Sequence, residues 1–579
     1  MRRFTPLAPR RTSLVRLIAG LFVATVAAFT TIQAQIPGRN VNMVSGTKWP
    51  EGDPFLQRQN EPSIAASTRN PLHLLGGSND YRTVDVPFPA DGDNETGDAW
   101  LGLFKSFDGG QRWISTLLPG YPQDQSEAGL ASPLKAYSAG ADAVVRAGTN
   151  GLVYFSGLAF VRGEGGKSGI FLSRFIDNNN QEAGDPFAYL GTVMVAQSTP
   201  GVFLDKPWMV VDVPRGDAAT CTITSNNEIQ IDQRGKSRGN RDDRRRGRGR
   251  NNPRPVVQRI KAGAVYVAYT SFTGEGASLR SEILMTRSVN CGASWSNPFR
   301  VSAAGDQLNQ GSSLTIDPRD GSVFVAWRRF ANTAKPEDDG IMVARLPYGG
   351  KKLDAPGRAY KFPKRKGQKV GQSLHRIFEH GRVKARPTEL ADIAEFDQGS
   401  SPYSFRTNAY PTTATDGAGR VYVAWTQRGF PADSRPDTGP SDGARIVMVT
   451  TRNGRSFTQP QAVDDDGQKG HQLMPSLAFA GGKLMLVYYD LRETKANVHG
   501  YRVTEQDGLL GNGLRHTIDI RSAMASPGDD PAFAPSVRVS EYLMGVNSRT
   551  STVEQLQVNP PNLPMFRQGT TPFMGDYID

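Results

Sequence analysis

The sequence predicts an all-β chain, and three observations carry that prediction. One pattern recurs six times: a short strand of small and apolar residues, a Gly/Asp turn, then a stronger β-branched and aromatic strand. The copies read EPSIAASTRNPLHLLGGSND (61–80), DAVVRAGTNGLVYFSGLAF (142–160), DKPWMVVDV with GAVYVAYTSF (within 205–272), SSLTIDPRDGSVFVAWRRF (312–330), YPTTATDGAGRVYVAWTQR (410–428) and MPSLAFAGGKLMLVYYDLR (474–492). Apolar alternation broken by Asp/Asn-Gly turns is the mark of antiparallel hairpins. Helical periodicity, the second observation, is scarce. The third is spacing: first strands start near Pro62, Ala143, Pro207, Ser312, Pro411 and Pro475, and the two shortest intervals are both 64 residues.

Each unit continues into a third and a fourth strand, as in EILMTRS (282–288) and NPFRVS (297–302). Four antiparallel strands repeated radially make a β-propeller blade. The expected fold is therefore a propeller of four-stranded antiparallel blades, with six full repeats. The start of a seventh is read in Pro572-Phe573-Met574-Gly575-Asp576-Tyr577-Ile578-Asp579, which echoes a first strand where the given sequence stops. Val41-Asn42-Met43-Val44-Ser45 resembles the fourth-strand pieces at 299–302 and 537–540, which predicts a ring closed by pairing the N-terminal segment with the last blade.

Composition agrees with one large globular unit. Of 579 residues, 38% are apolar and 21% charged, and 62 Gly with 39 Pro are too few for a disordered or collagenous chain. Two cysteines exclude a disulfide scaffold. The net charge of +12 is local in origin: segments 1–35, 234–254 and 351–386 contribute +5, +8 and +10, leaving −11 for the rest. A nucleic-acid-binding domain carries its basic residues on a folded face; here they fall in a leader and two insertions, so no specific nucleic-acid partner is expected.

The leader has a basic start (Arg2, Arg3, Arg10, Arg11, Arg16), an apolar stretch over 17–29, and a cleavage-compatible Ile32-Gln33-Ala34. It reads as a signal peptide over 1–34, with Arg10-Arg11-Thr12-Ser13-Leu14 loosely similar to a twin-arginine signal. No other run reaches transmembrane length. The expected product is exported, secreted or periplasmic, with one propeller domain over 36–579. Basic insertions are read at about 214–256, expected to be a disordered loop able to contact anionic polymers, and at 349–400.

The turn after the third strand carries the most specific signature. Ser106-Phe107-Asp108-Gly109-Gly110-Gln111-Arg112-Trp113 matches S-x-D-x-G-x-x-W at every defined position, and Ser288, Asn290, Gly292 and Trp295 repeat it with Asn for Asp. Residues 450–457 are a faded copy, with Thr450, Gly454 and Phe457 in place. These strings resemble the Asp-box, or bacterial neuraminidase repeat, of the sialidase superfamily of β-propellers. The Asp side chain accepts backbone N–H bonds within the turn, and glycine supplies the left-handed conformation, so Asp108 is a turn-builder.

The resemblance implies a six-bladed propeller, an arginine triad for a substrate carboxylate, a Tyr nucleophile assisted by Glu, and an Asp acid/base. The family's F/Y-R-I-P motif is missing; the nearest string, Phe299-Arg300-Val301-Ser302, falls in an outer strand.

A hairpin returns to the end it started from, so residues before strand one and after strand two share one face, beside the axial channel. Glu61, Asp142, Asp205 and Tyr410 are the candidate catalytic groups there. Arg82, Lys206, Trp208, Arg328, Arg428, Asp490 and Arg492 are the candidate ligand-binding groups, since Arg can grip a carboxylate with two parallel bonds. Any one of them could equally serve as an inter-blade ion pair. Cys221 and Cys291 emerge on one face of the third blade and are expected to form a disulfide.

No zinc-binding, nucleophile-elbow or phosphate-loop pattern is present. The Asp-rich turn at 464–467 lacks the full Ca²⁺-loop motif, so no metal or other cofactor is expected. Three readings follow: a module that binds glycans or another polar extracellular ligand, a glycoside hydrolase of exo-sialidase type with a differently placed arginine clamp, and a protein-interaction scaffold.

Overall fold

In the computed structural model, the described residues are 38–44, 59–82, 98–161, 166–225, 256–275, 278–305, 308–330, 340–350, 353–361, 409–428, 444–464, 472–490, 492, 494–496, 514–516, 519–541, 544–546, 553–555 and 575–579. The predicted signal peptide, the centre of the first basic insertion and most of the second lie outside them. Among the described residues no helix is long and apolar enough to cross a membrane.

Six four-stranded antiparallel sheets form the blades of a β-propeller. Blade one holds β1 (Gln59–Ala66), β2 (Leu74–Asp80), β3 (Trp100–Ser106) and β4 (Ile114–Leu117). Blade two holds β5 (Ala139–Ala147), β6 (Leu152–Phe160), β7 (Ser168–Asp177) and β8 (Phe187–Gln197). Blade three runs from β9 (Val202–Val211) through β12 (Val265–Thr273), β13 (Arg280–Ser288) and β14 (Phe299–Arg300), with β10 (Thr220–Ser225) and β11 (Val256–Lys261) as a side hairpin. Blade four holds β15 (Leu308–Ile316), β16 (Val323–Phe330), β17 (Gly340–Leu346) and β18 (Gly357–Lys361). Blade five holds β19 (Thr412–Thr415), β20 (Val421–Arg428), β21 (Ala444–Thr451) and β22 (Gln461–Ala462). Blade six holds β23 (Gln472–Ala480), β24 (Lys483–Asp490), β27 (Asp519–Ala525) and β28 (Val537–Arg538).

Two predicted boundaries move. The flanks of the first insertion are ordered as the β10–β11 hairpin, and Cys221 on β10 is joined to Cys291 by a disulfide with a Cα–Cα distance of 6.3 Å. The second insertion, read as starting at 349, contains β18, the outermost strand of blade four.

The core is spread over the joints between blades. Leu75, Trp100 and Leu103 of blade one pack against Val145, Val153 and Phe155 of blade two. Equivalent clusters join blades two and three through Tyr154, Leu172, Met209 and Tyr269, and blades three and four through Tyr266, Met285, Val325 and Trp327. Phe324, Val343 and Trp425 join four to five, and Tyr422, Met448, Leu484 and Tyr488 join five to six.

Between blades six and one, hydrogen bonds cross the joint. Asn40 donates through its backbone N–H to Glu541 and through its amide to the Val539 carbonyl, and Glu541 N–H donates back to Asn40 Oδ1. The N-terminal segment does meet the end of blade six through Asn40, and among the described residues no β-ladder joins them. Of the seventh-blade echo, residues 575–579 are described: they have irregular backbone and lie against blades one and two.

The Asp-box turns are built as their chemistry requires. Asp108 Oδ1 accepts from Ser106 Oγ and from the N–H groups of Gln111 and Arg112, while Gly110 N–H donates to Ser106 Oγ. Asn290 accepts from Ser288 Oγ and Ser294 N–H in the same way. In the third copy these roles fall one residue later than the sequence alignment places them, on Thr451 and Asn453, with Gly454 N–H donating to Thr451 Oγ1. Asp108→Ala should therefore cost about 1–2 kcal/mol, one or two net hydrogen bonds. Asp108→Asn, which recreates the chemistry at position 290, should leave the melting temperature within about a degree. Thermal unfolding of the two variants checks this.

Candidate functional site

The innermost strands share one irregularity, and it makes the site. In β1, Glu61 and Pro62 stand opposite the single residue Ser78, because the register steps from Asn60↔Asn79 to Ser63↔Gly77. The same two-against-one step occurs at Asp142-Ala143 in β5, Lys206-Pro207 in β9, Gly311-Ser312 in β15 and Met474-Pro475 in β23. Each is a β-bulge, which kinks the strand and re-aims a side chain. The first bulge residue has positive φ every time: Glu61 +55°, Asp142 +60°, Lys206 +47°, Gly311 +68° and Met474 +48°. Outside glycine that conformation costs on the order of 1 kcal/mol, accepted at four positions here.

The first three bulges place charge at one spot. Lys206 Nζ lies 3.0 Å from Asp576 Oδ2 and 3.8 Å from both Glu61 Oε1 and Asp142 Oδ1. All four side chains are buried, with Glu61 1% and Lys206 6% exposed. Asn79 stitches the group together, donating to Asn60 Oδ1 at 2.7 Å and Glu61 Oε2 at 3.0 Å while accepting from Asp142 N–H at 2.8 Å. Lys206 N–H donates to Asp142 Oδ2, and Asp576 N–H to Glu61 Oε1. Lys206 Nζ also sits 5.4 Å from the Tyr410 ring centroid and 5.1 Å from that of Tyr577, within cation–π range.

Burial pushes the Glu61 carboxyl well above the usual carboxylate range; Lys206 opposes, and Asp142 and Asp576 push it further up. Burial would lower Lys206, but the carboxylates of Asp576, Asp142 and Glu61 overcome it and hold the ammonium well above its ordinary value. One cation faces three carboxyl groups, so the raised Glu61 carboxyl lessens the surplus of negative charge.

Beside the cluster, Tyr410 Oη donates to Gln310 Oε1 at 2.8 Å, and Gln310 Nε2 donates to Asp205 Oδ2 at 2.9 Å. Tyr410 has its place because blade four carries glycine at the bulge: a Cβ on Gly311 would come within 2.0 Å of the Tyr410 ring. The recess that remains is small, with a cavity volume of about 30 Å³, and is lined by Lys206, Trp208, Tyr410, Met474, Asp576 and Tyr577 among others.

Of the predicted site residues, Glu61, Asp142, Lys206 and Tyr410 converge, with Trp208 and Asp205 beside them. The arginines do not form a triad there. Arg82 turns back onto Asp80, donating through Nε to both carboxylate oxygens at 2.9 Å, and reaches the Thr116 carbonyl. Arg492 repeats this on Asp490 and adds Asp464, whose carboxylate also accepts from Ser536 and Tyr488. Asp464 of the Asp-rich turn is thereby committed to protein donors. Arg328 is fully buried, with its guanidinium carbon 5.1 Å from the Phe330 ring. Arg428 ends β20, and its side chain is outside the described residues. Arg300, of the F-R-V-S string, pairs with Glu282 on the neighbouring outer strand.

Sequence reasoning did not assign a role to Asn79, Arg146 or Tyr577. The echo of a first strand at 572–579 was the available signal for the last of these.

Solved structures with similar folds include an α-L-arabinofuranosidase of Fusarium graminearum (11% identity, 74% of this chain and 88% of that one, TM-score 0.36). An α-L-arabinanase of Penicillium chrysogenum gives 10% identity over 80% and 93%, TM-score 0.36, and the NanB sialidase of Streptococcus pneumoniae 10% over 90% and 66%, TM-score 0.33. No family model and no curated protein matches the sequence.

Because Glu61 titrates higher folded than unfolded, its contribution to stability is fully present below about pH 4.3 and is lost as pH rises through its folded pKa. Glu61→Gln keeps the shape of the protonated carboxyl and has no proton to lose. The stability difference between wild type and Glu61→Gln should shift against wild type as pH rises from 4, by at most about 1.4 kcal/mol per unit. Denaturant unfolding of both proteins between pH 4 and 8 measures it; a constant difference would mean that Glu61 is ionised in the fold.

Proposed function

We propose that the protein is exported and binds a carbohydrate, or another polar extracellular ligand, in the axial recess of its sialidase-like propeller. The carrying observation is the recess itself, where the buried Lys206 and its carboxyl partners stand beside the rings of Trp208 and Tyr410. Aromatic faces take up the apolar side of a sugar ring, and charged groups set its orientation through directional hydrogen bonds. The arginines that a sialidase-type clamp would use are turned onto Asp80, Asp464 and Asp490, which favours binding over sialoside cleavage.

A second reading is kept for one observation: Tyr410 is linked through Gln310 to Asp205, beside the Glu61 carboxyl, which burial raises above the usual carboxylate range. A hydrolase would use Tyr410 as nucleophile and Glu61 as proton donor. The two readings separate in one set of measurements on purified protein. Binding on a glycan array should fall at least about 10-fold in Trp208→Ala and in Tyr410→Ala, about 1.4 kcal/mol each, with no sugar released from fluorogenic sialosides, arabinofuranosides or neutral glycosides. Sugar release abolished by Tyr410→Phe would establish the hydrolase instead, and an array without any bound glycan would remove the carbohydrate reading.

A further inference from the structure

The blade-one and blade-two side of the axial site is already filled, by residues 575–579 of the chain itself. Asp576 sits on Lys206, and Asp579 sits on Arg146 while accepting from Ser63 Oγ. Between them the Tyr577 ring meets Trp208 edge-on at 5.3 Å and its hydroxyl donates to the Ala143 carbonyl at 2.9 Å. Both cations also lie against rings, Lys206 over Tyr577 and Arg146 over Trp208, each within 5.3 Å of the centroid. The segment makes no strand, and among the described residues its backbone-to-backbone bond to the blades is Asp579 N–H to the Pro62 carbonyl. Side chains therefore do most of the holding, as they do for a bound peptide. Gly575, at φ +102°, lets the chain approach Glu61: a Cβ there would come within 2.7 Å of Glu61 Cγ.

We propose that residues 575–579 act as a built-in occupant of the axial site, and that the site takes an external ligand bearing two anionic groups with a flat or aromatic body between them. One anionic group would replace Asp576 on Lys206 and the other Asp579 on Arg146, with the body against Trp208. Exposure sets the order of exchange. The Asp579–Arg146 pair is partly open, at 14% and 23%, whereas Asp576 is 3% exposed. Displacement starts at Asp579 and proceeds inward to Lys206. This inference rests on the reading of the recess as a ligand site and adds what the ligand must compete with.

The probe is the synthetic pentapeptide Gly-Asp-Tyr-Ile-Asp, titrated by calorimetry into the full chain. Asp576→Asn with Asp579→Asn removes both internal anions while keeping their shape, so the double variant should bind the peptide at least 10-fold tighter than wild type. Its neutral counterpart, Gly-Asn-Tyr-Ile-Asn, should not bind. Equal affinity of wild type and variant, or equal binding of the neutral peptide, overturns the proposal. Should the double variant not fold, hydrogen exchange on wild type decides: the amides of Asp576 and Asp579 should exchange at least 100-fold faster than those of β5 and β6, and exchange of all of them as one unit overturns the proposal. Glycan binding unchanged by the double substitution would sink this inference and leave the carbohydrate reading standing; peptide binding without glycan binding would do the reverse.

Discussion

A residue of positive φ within five of the six innermost strands is the constraint on which the site depends. A regular strand sends alternate side chains to its two faces, toward the neighbouring blades. An extra residue breaks that alternation and frees a side chain to leave the sheet. Glu61, Asp142 and Lys206 meet because three consecutive blades break at the same level. At Pro62, Pro207 and Pro475 the second bulge residue has no N–H, which costs nothing where the ladder skips a partner. The backbone strain at four non-glycine positions is offset by the apolar clusters that fix each blade against the next.

Electrostatics then decides which side chains the bulges can carry. An ammonium taken out of water loses several kcal/mol of hydration, and it stays charged only if anions replace the water. Lys206 receives Asp142 from its neighbouring blade, Glu61 from one blade further, and Asp576 from a segment far along the chain. Three carboxyls share one ammonium, and burial raises the Glu61 carboxyl, which eases the excess of negative charge. The ion pairs hold three distant parts of the chain in register, since removing any one partner would leave another charge exposed to the low-dielectric interior. Asn79 adds a neutral brace between the carboxyl groups.

The fold was legible because each hairpin repeats its own turn chemistry, and the Asp-box strings match in residue type and spacing. The strand starts were not. Pro62, Pro207 and Pro475 look like first residues because proline usually cannot enter a ladder, yet the bulge admits it and the strands begin earlier, at Gln59, Val202 and Gln472. The bulge residues were legible as rim groups by the same hairpin geometry. The arginines were misjudged for a local reason: Asp80 precedes Arg82, and Asp490 precedes Arg492, by two residues. At that spacing the acid accepts both the arginine's N–H and its guanidinium. Arg328 lies within β16 rather than after it, and its strand position buries it.

The sixth-to-first joint brings these threads together. Five joints have apolar clusters, and at this one Asn40 of the N-terminal segment bonds to Val539 and Glu541 at the end of blade six. Apolar packing is indifferent to solutes, but hydrogen bonds and ion pairs can be exchanged for equivalents supplied by a ligand. Residues 575–579 bind on the blade-one side of that joint through the same Glu61 and Lys206 that make the site. Lys206 holds Asp576 at 3.0 Å but Glu61 and Asp142 only at 3.8 Å, so a group that replaces Asp576 must supply the one acceptor at hydrogen-bond distance from the ammonium. The recess thus favours ligands that bring such an acceptor to Lys206.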